Sequence, residues 1–276
     1  MVTFRVLSMG WGRQTWTLAA MMALGEYPVA DYIVHADTTH EKESTYAFAH
    51  QWQPWLEERG VKVRTVSRHT GAVDQWGGLM IPAFTQNKAV GQLRRQCTSE
   101  WKIAPIRRFI VEELSRRSIT KSGGVVEQWI GISTDEWSRA RTSDVRYIVN
   151  RHPLIDLKMG RASCIAWLKE HDLPVPAKSS CTFCPYHSKR AWQDLKRAGG
   201  EDWAQAVEID RQIRSVRPPW NTFVHPSLKP LAEAVSIAED VGYEQLPLSA
   251  IDWPRVFTGD DQPDDDGSCP TGVCFV

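Results

Sequence analysis

Thr3-Phe-Arg-Val-Leu7, then Ser8-Met-Gly-Trp-Gly-Arg-Gln-Thr15, then the Ala/Met/Leu-rich run from Trp16 to Gly25, form the stretch on which the fold turns. The pattern reads as a short apolar strand, a glycine-punctuated turn and a helix. Strand, turn, helix is the opening unit of a parallel sheet, because parallel neighbours need a crossover that brings the chain back to the same edge. The N-terminus of such a helix offers unpaired N–H groups and a positive dipole end to an anion. The same residues would also serve an ordinary tight strand-to-helix turn.

The chain downstream repeats the alternation. Tyr32-Ile-Val-His-Ala36 is a second strand ending at Asp37-Thr38-Thr39, Glu43 to Gly60 a second helix, and Val61 to Val66 a third strand. Asp37, just past a strand end and beside the glycine turn, lies where open α/β sheets bind ligands. His69 to Arg95, with Gly77-Gly78 and Pro82, reads as a long loop able to cover a site. A basic amphipathic helix from Ile103 to Arg117 has Pro105 in its first turn. Val125 to Gly131 is a strand, followed by the polar loop Ser133 to Arg141. Helices are expected from about Arg161 to His171 and from Asp202 to Arg214. The expected architecture is α/β, an open, mostly parallel twisted sheet with helices on both faces, occupying residues 1–200. A mixed extension follows over 201–257, and 258–276 is a flexible tail, too acidic and rich in small residues to build a core.

Thirty-three basic and thirty-three acidic side chains leave the 276-residue chain formally neutral, so the whole molecule carries no nucleic-acid-binding excess of charge. The charges are unevenly placed. Arg94, Arg95, Lys102, Arg107, Arg108, Arg116, Arg117 and Lys121 bunch in the middle, and Asp260 to Asp266 is acidic. No stretch reaches the ~20 apolar residues of a membrane span and no signal peptide opens the chain, so a cytoplasmic protein without a membrane partner is expected. The thirteen tryptophans read as core or amphipathic-face residues; only an exposed one would count as a base-stacking platform.

In a cytoplasmic setting six cysteines point to metal or redox chemistry before disulfides. Cys181 and Cys184 stand in C-x-x-C spacing before Pro185, close enough to share one centre, and Cys97 and Cys164 are the candidates to complete it. An iron–sulfur cluster is the reading adopted. A structural zinc, a redox dithiol and plain buried side chains stay open, since all-sulfur ligation does not separate zinc from iron. Cys269 and Cys274 close the chain in Gly267-Ser-Cys-Pro-Thr-Gly-Val-Cys-Phe-Val276. They could act as an attacking and a resolving thiol on a swinging tail.

Four ordered segments resemble the adenine-nucleotide α-hydrolase (PP-loop) superfamily, and within it the PAPS/APS reductase branch that carries an iron–sulfur cluster. Ser8 to Thr15 resembles a longer variant of the S-G-G-x-D-S loop. Asp37-Thr38 with Glu43-Ser-Thr-Tyr46 resembles D-T-G…E-T-Y. Cys97-Thr-Ser-Glu-Trp-Lys102-Ile-Ala-Pro105 resembles C-C-x-x-[RK]-K-x-x-P. Gly131 to Arg141, and Pro153-Leu154 followed by Leu173-Pro-Val-Pro176 and the C-x-x-C, resemble the remaining blocks, so the likeness spans roughly residues 3–190. It implies an adenine nucleotide such as ATP, with magnesium as an accompanying ion, held by Ser8, Gly10, Gly12, Arg13, Gln14, Thr15 and Asp37. Arg139 and Arg141 would clamp a phosphate or sulfate. It also implies a 4Fe–4S cluster on Cys97, Cys181 and Cys184. Three positions depart from the pattern. Thr98 stands where a second adjacent cysteine is expected, so Cys164 is taken as the fourth ligand. Gln14 replaces the loop's acidic residue, and the reductases' terminal E-C-G-[LI]-H is absent.

Three functions follow from these parts. The first is ATP-dependent sulfur transfer to a nucleic acid or a small molecule, with a sulfur donor as partner and Arg94, Arg95, Arg107 and Arg108 on the phosphate backbone. The second is reduction of a sulfonucleotide, with a thiol reductant as partner and Cys269 or Cys274 as nucleophile. The third is a nucleotide-sensing subunit without turnover, a role to which the Gln14 replacement points. The missing reductase motif sets the transferase first.

Overall fold

The structure is a computed structural model, and it describes residues 2–68, 71–74, 77–86 and 90–237. The chain resolves into two compact units, taken in turn.

The first unit, drawn from Met1–Asp74 and Arg95–Cys181, is an α/β sheet. Its strands are β1 (Val2–Met9), β2 (Tyr32–Asp37), β3 (Val63–Ser67), β6 (Val125–Ile130) and β7 (Ile148–Arg151), in the order β3-β2-β1-β6-β7. Every pairing is parallel. The chain winds outward from β1 through β2 to β3, then returns to β1's other side for β6 and β7. That order puts a topological switch between β1 and β6, the position where open sheets form a ligand crevice.

Helices cover both faces because the strands are apolar on both. Leu7, Met9, Ile33, Val63 and Trp129 pack with α1 (Arg13–Ala23), α2 (Glu43–Glu58) and α5 (Arg161–Glu170) through Trp16, Leu18, Leu56 and Leu168. Phe4, Val6, Val34, Ala36, Val126 and Ile148 face the other way, onto Ile106, Phe109, Ile110 and Leu114 of α3 (Ala104–Arg116). Neighbouring residues such as Val6 and Leu7 divide between the two layers, as the period-2 geometry of a strand requires. The short α4 (Pro153–Asp156) precedes α5. The tryptophan-rich sequence finds its place here: Trp11, Trp16, Trp52 and Trp55 form one aromatic cluster with Phe48.

The second unit is drawn from Gln75–Arg94 and Thr182–Pro270. The segment 69–95, expected as a loop, contains β4 (Phe84–Gln86) and β5 (Val90–Gln92), which pair antiparallel. They form a three-stranded sheet with β8 (Thr222–Phe223). Strands of three residues leave almost no periodicity to read. α6 (Lys189–Ala198) opens with Ser188 as its cap, α7 (Gly200–Ile213) follows a left-handed Gly199, and α8 is Leu231–Ala234. Asp210 of α7 is wholly buried and organises what comes after it. Its carboxylate accepts from Val224 N and Leu231 N, each at 3.0 Å, and from Arg214 at 2.8 Å. Among the described residues no helix is long and apolar enough to cross a membrane.

Candidate nucleotide and thiol site

The site is built at the C-terminal edge of the parallel sheet. β1 ends at Met9, and α1 starts at Arg13, three residues earlier than the apolar run suggests. No side chain caps α1, and its first turn holds no acidic residue, so the anion-attracting end of the helix is unmasked. The turn gains its shape in an unexpected way. Trp11, not a glycine, takes the left-handed backbone conformation, at φ 55°, while Gly12 sits at φ −86°. A left-handed bulky residue is strained and must be held by its surroundings. Trp11 is held by burial, stacked on Trp16 and edge-on to His35.

The residues expected to cradle phosphate divide between framework and edge. Ser8 Oγ accepts from Gln128 Nε2 at 2.8 Å inside the sheet, tying β1 to β6. Thr15 Oγ1 accepts from Gly10 N at 3.4 Å and donates to Gly12 O at 3.3 Å, so it closes the turn. Asp37 Oδ1 accepts from Thr39 N at 2.7 Å and from Tyr46 OH at 2.8 Å, and burial together with this carboxylate pushes the Tyr46 phenol well above its ordinary value. Arg13 Nε donates to Pro176 O at 3.3 Å. Gln14 Nε2 donates to Glu136 Oε2 at 2.7 Å, and Arg139 and Arg161 reach the same carboxylate. The switch point thus holds a buried Glu136 ringed by three donors from α1, α5 and the 3₁₀ turn Thr134–Arg139. Sequence reasoning names Gln14 and Arg139 but not Glu136 or Arg161, because their partnership crosses 122 and 25 positions of chain. Arg141 stays exposed and bonds the carbonyls of Ser138 and Ala140.

A second feature of this edge is the extended segment 174–181. Pro174 O accepts from Trp16 Nε1 at 3.1 Å, Pro176 O takes Arg13, and Ser179 lies so near Gly12 that a Cβ there would stand 2.9 Å from Ser179 Oγ. The segment ends with Cys181, which bridges the backbone of Glu41 and lies 3.4 Å from Thr38 Oγ1, just past β2. Lys102 completes the group. It extends from a π-helical turn, Thr98–Ile103, that begins directly after Cys97 and sets its ammonium 3.4 Å from Glu41 Oε1. Burial works against that charge, but the Glu41 carboxylate and the Cys181 sulfur outweigh it, and the Lys102 pKa rises. π turns of this kind concentrate at functional sites.

The cysteines expected to bind a cluster are differently placed. Cys97 and Cys181 are half-buried on this edge, and Cys184 is half-buried in the second unit. Cys164 is fully buried on α5 among Leu7, Trp16, Leu154 and Leu168, and burial raises its thiol to about 11. That setting favours the neutral thiol where no metal is bound. No three His, Cys, Asp or Glu side chains are grouped to hold a metal among the described residues. Two buried oxygens of the Lys102 group, Glu41 Oε2 and Thr98 Oγ1, have no hydrogen-bond partner among the described residues and suit water. Cys97, Cys181 and Cys184, three half-buried thiols, have the chemistry of an iron–sulfur centre, whose ligand set rests on the sequence resemblance. Cys269 and Cys274 lie outside the described residues.

Among solved structures the chain is similar to phosphoadenylyl-sulfate (PAPS) reductase from Candida auris in a phosphate complex. The TM-score is 0.39 at 12% identity, over 64% of this chain and 76% of that one. No protein-family model and no curated protein matches the sequence.

Proposed function

We propose that the chain is an adenine-nucleotide-binding enzyme of sulfur chemistry, acting first as an ATP-dependent sulfurtransferase. The observation that carries this reading is the course of segment 174–181, which brings a cysteine to the same sheet edge as an uncapped helix N-terminus. Phosphates of a bound nucleotide would face the N–H groups of the first turn of α1. Arg139 and Arg161 would supply the guanidinium forks that match phosphate or sulfate. Lys102 sets a buried cation in the electrostatic surroundings of the Cys181 sulfur. In the transferase reading an acceptor oxygen attacks the α-phosphorus of ATP and pyrophosphate leaves. A persulfide sulfur then displaces AMP, and a second thiol attacks the resulting disulfide, releasing the thiolated acceptor as a protein disulfide forms.

Sulfonucleotide reduction is the second reading, favoured by a thiol and two arginines on one edge. A thiolate attacks the sulfate sulfur, the nucleotide leaves, and a second thiol releases sulfite as a disulfide forms. Cys269 and Cys274 belong to this proposal as the attacking and resolving thiols. The iron–sulfur cluster, with Cys97, Cys181 and Cys184 as ligands, is carried by the sequence resemblance. Calorimetry with ATP, adenylyl sulfate and GTP tests the common part: the adenine ligands should bind more tightly, and failure of all three to bind overturns it. Pyrophosphate release then marks the transferase and sulfite release the reductase. Deleting residues 268–276 should abolish turnover while nucleotide affinity stays intact; full activity of the truncated chain removes the tail from the reaction.

A further inference from the structure

Trp137 is 70% exposed, far more than any other large apolar side chain among the described residues; Val29 follows at 46%. Its indole makes no hydrogen bond, ring contact or cation–π contact with a described residue, whereas its backbone carbonyl is fixed by Ala140 N at 3.0 Å. A large aromatic side chain held out from an ordered turn loses apolar contact and gains nothing within the unit.

The charges around it are sorted. The segment 135–146 contains three carboxylates, and each is engaged. Asp135 accepts from Arg161 N and Ser133 Oγ, Glu136 holds Arg139, Arg161 and Gln14, and Asp144 pairs with Arg107. Arg141 and Arg146, both exposed, face no carboxylate among the described residues. Arg141 is also fixed in place: its guanidinium bonds the Ser138 carbonyl, next in the chain to Trp137, and its own carbonyl accepts from Asn150 of β7 at 3.0 Å. The surface therefore presents an exposed aromatic face with the Arg141 guanidinium beside its turn, and a second exposed cation, Arg146, further along the same segment.

We infer that Trp137, with Arg141 and Arg146, is a binding surface for single-stranded nucleic acid. The indole stacks on an unpaired base and the arginines meet the flanking phosphates. Base stacking on an exposed aromatic is sequence-tolerant, and backbone cations supply a salt-dependent term; the two together distinguish a single strand from a duplex, whose bases are already stacked. This deepens the proposed function by naming the class of sulfur acceptor, and it rests on that reading only for the acceptor's fate. Binding can be measured with no nucleotide present, so the surface and the nucleotide site fail separately.

The test uses fluorescein-labelled oligonucleotides of about 12 residues, as single-stranded DNA, single-stranded RNA and duplex, with anisotropy read over a salt series. One single strand at least should bind more tightly than the duplex, and whichever does identifies the acceptor's sugar. Trp137→Ala should weaken binding about tenfold while Trp137→Phe retains most of it. The Arg141→Ala, Arg146→Ala double variant should reduce the slope of log affinity against log salt by about 1.4, for two phosphates on a single strand. Thermal unfolding confirms that these surface variants are folded. Unchanged affinity in Trp137→Ala, equal affinity for the duplex, or no binding at low salt overturns the inference.

Discussion

Gln14 Nε2 donates to Glu136 Oε2 at 2.7 Å, joining the first turn of α1 to the turn that follows β6 across the switch point of the sheet. Arg139 and Arg161 meet the same buried carboxylate, so Glu136 acts as a fixed anion where an incoming phosphate would otherwise be the counter-charge. Glu136→Gln keeps the shape and removes the charge. The two arginines then lack a carboxylate, and stability should fall by about 2 kcal/mol in urea unfolding, less than for a wholly buried pair because both guanidiniums reach water. Affinity for ATP or inorganic pyrophosphate should rise several-fold by calorimetry. Weaker binding would show that the nucleotide needs Glu136 instead of competing with it.

A second prediction concerns the close approach of β6's end to α1. A Cβ on Gly131 would stand 2.6 Å from Thr15 Cγ2 and 3.3 Å from Thr15 N. Gly131→Ala should therefore destabilise the chain by about 2 kcal/mol through overpacking. Thr15→Ser deletes the methyl that clashes and keeps the hydroxyl that closes the glycine turn. The double variant should recover part of the loss, and the coupling is read from a four-protein unfolding cycle. Strict additivity would mean that the clash is relieved elsewhere.

The parallel sheet was legible because its signals are local. The apolar strands around Leu7, Ile33 and Trp129, each followed by a turn and a helix, declare the winding one unit at a time. Positions at a strand end or in the helix turn after one, such as Asp37 and Gln14, could be named for the same reason. What stayed hidden is long-range. Nothing near Glu136 in the chain announces that Gln14 and Arg161 converge on it. Trp11 took the backbone conformation that the glycine pattern assigns to Gly10 or Gly12, since tertiary packing against Trp16 and His35 overrides local preference. β4 and β5 are too short to carry a period, and the polar sequence of α6 hides a helix whose apolar stripe is only Trp192 and Leu195.

The Glu41–Lys102 pair makes a third prediction. Glu41 is buried and Lys102 nearly so. Removing one partner strands the other's charge, so Glu41→Ala should cost about 3 kcal/mol. Lys102→Met keeps the apolar stem but strands the wholly buried Glu41 carboxylate, so it should cost a similar amount, and it takes the cation away from Cys181. Alkylation of Cys181 by iodoacetamide at neutral pH, followed by peptide mass spectrometry, should slow several-fold in Lys102→Met. An unchanged rate would detach Lys102 from the chemistry of that thiol.

Cys164 gives the last prediction, and it separates the core from the metal question. Its folded-state pKa of about 11 lies above the ordinary thiol value near 9, with burial the leading cause. A raised folded pKa means that its contribution to stability is fully present below pH 9 and is lost as pH climbs through 11, up to about 3 kcal/mol over that window. Unfolding free energies of the wild type and Cys164→Ala, measured across the same range, should cross, the variant becoming the more stable protein at the alkaline end. At neutral pH the variant should be about 1 kcal/mol less stable, the size of a small buried group lost from an apolar cluster. Protein purified without oxygen should contain iron and acid-labile sulfide if the proposed cluster on Cys97, Cys181 and Cys184 exists, and Cys181→Ala should then remove both. Cys164→Ala should leave iron content and spectrum untouched if this side chain, packed in the apolar cluster with Leu7, Trp16 and Leu168, serves the core alone. Loss of iron in Cys164→Ala would instead make it the fourth ligand, with α5 rearranging to deliver it; stoichiometric zinc without iron would replace the cluster altogether.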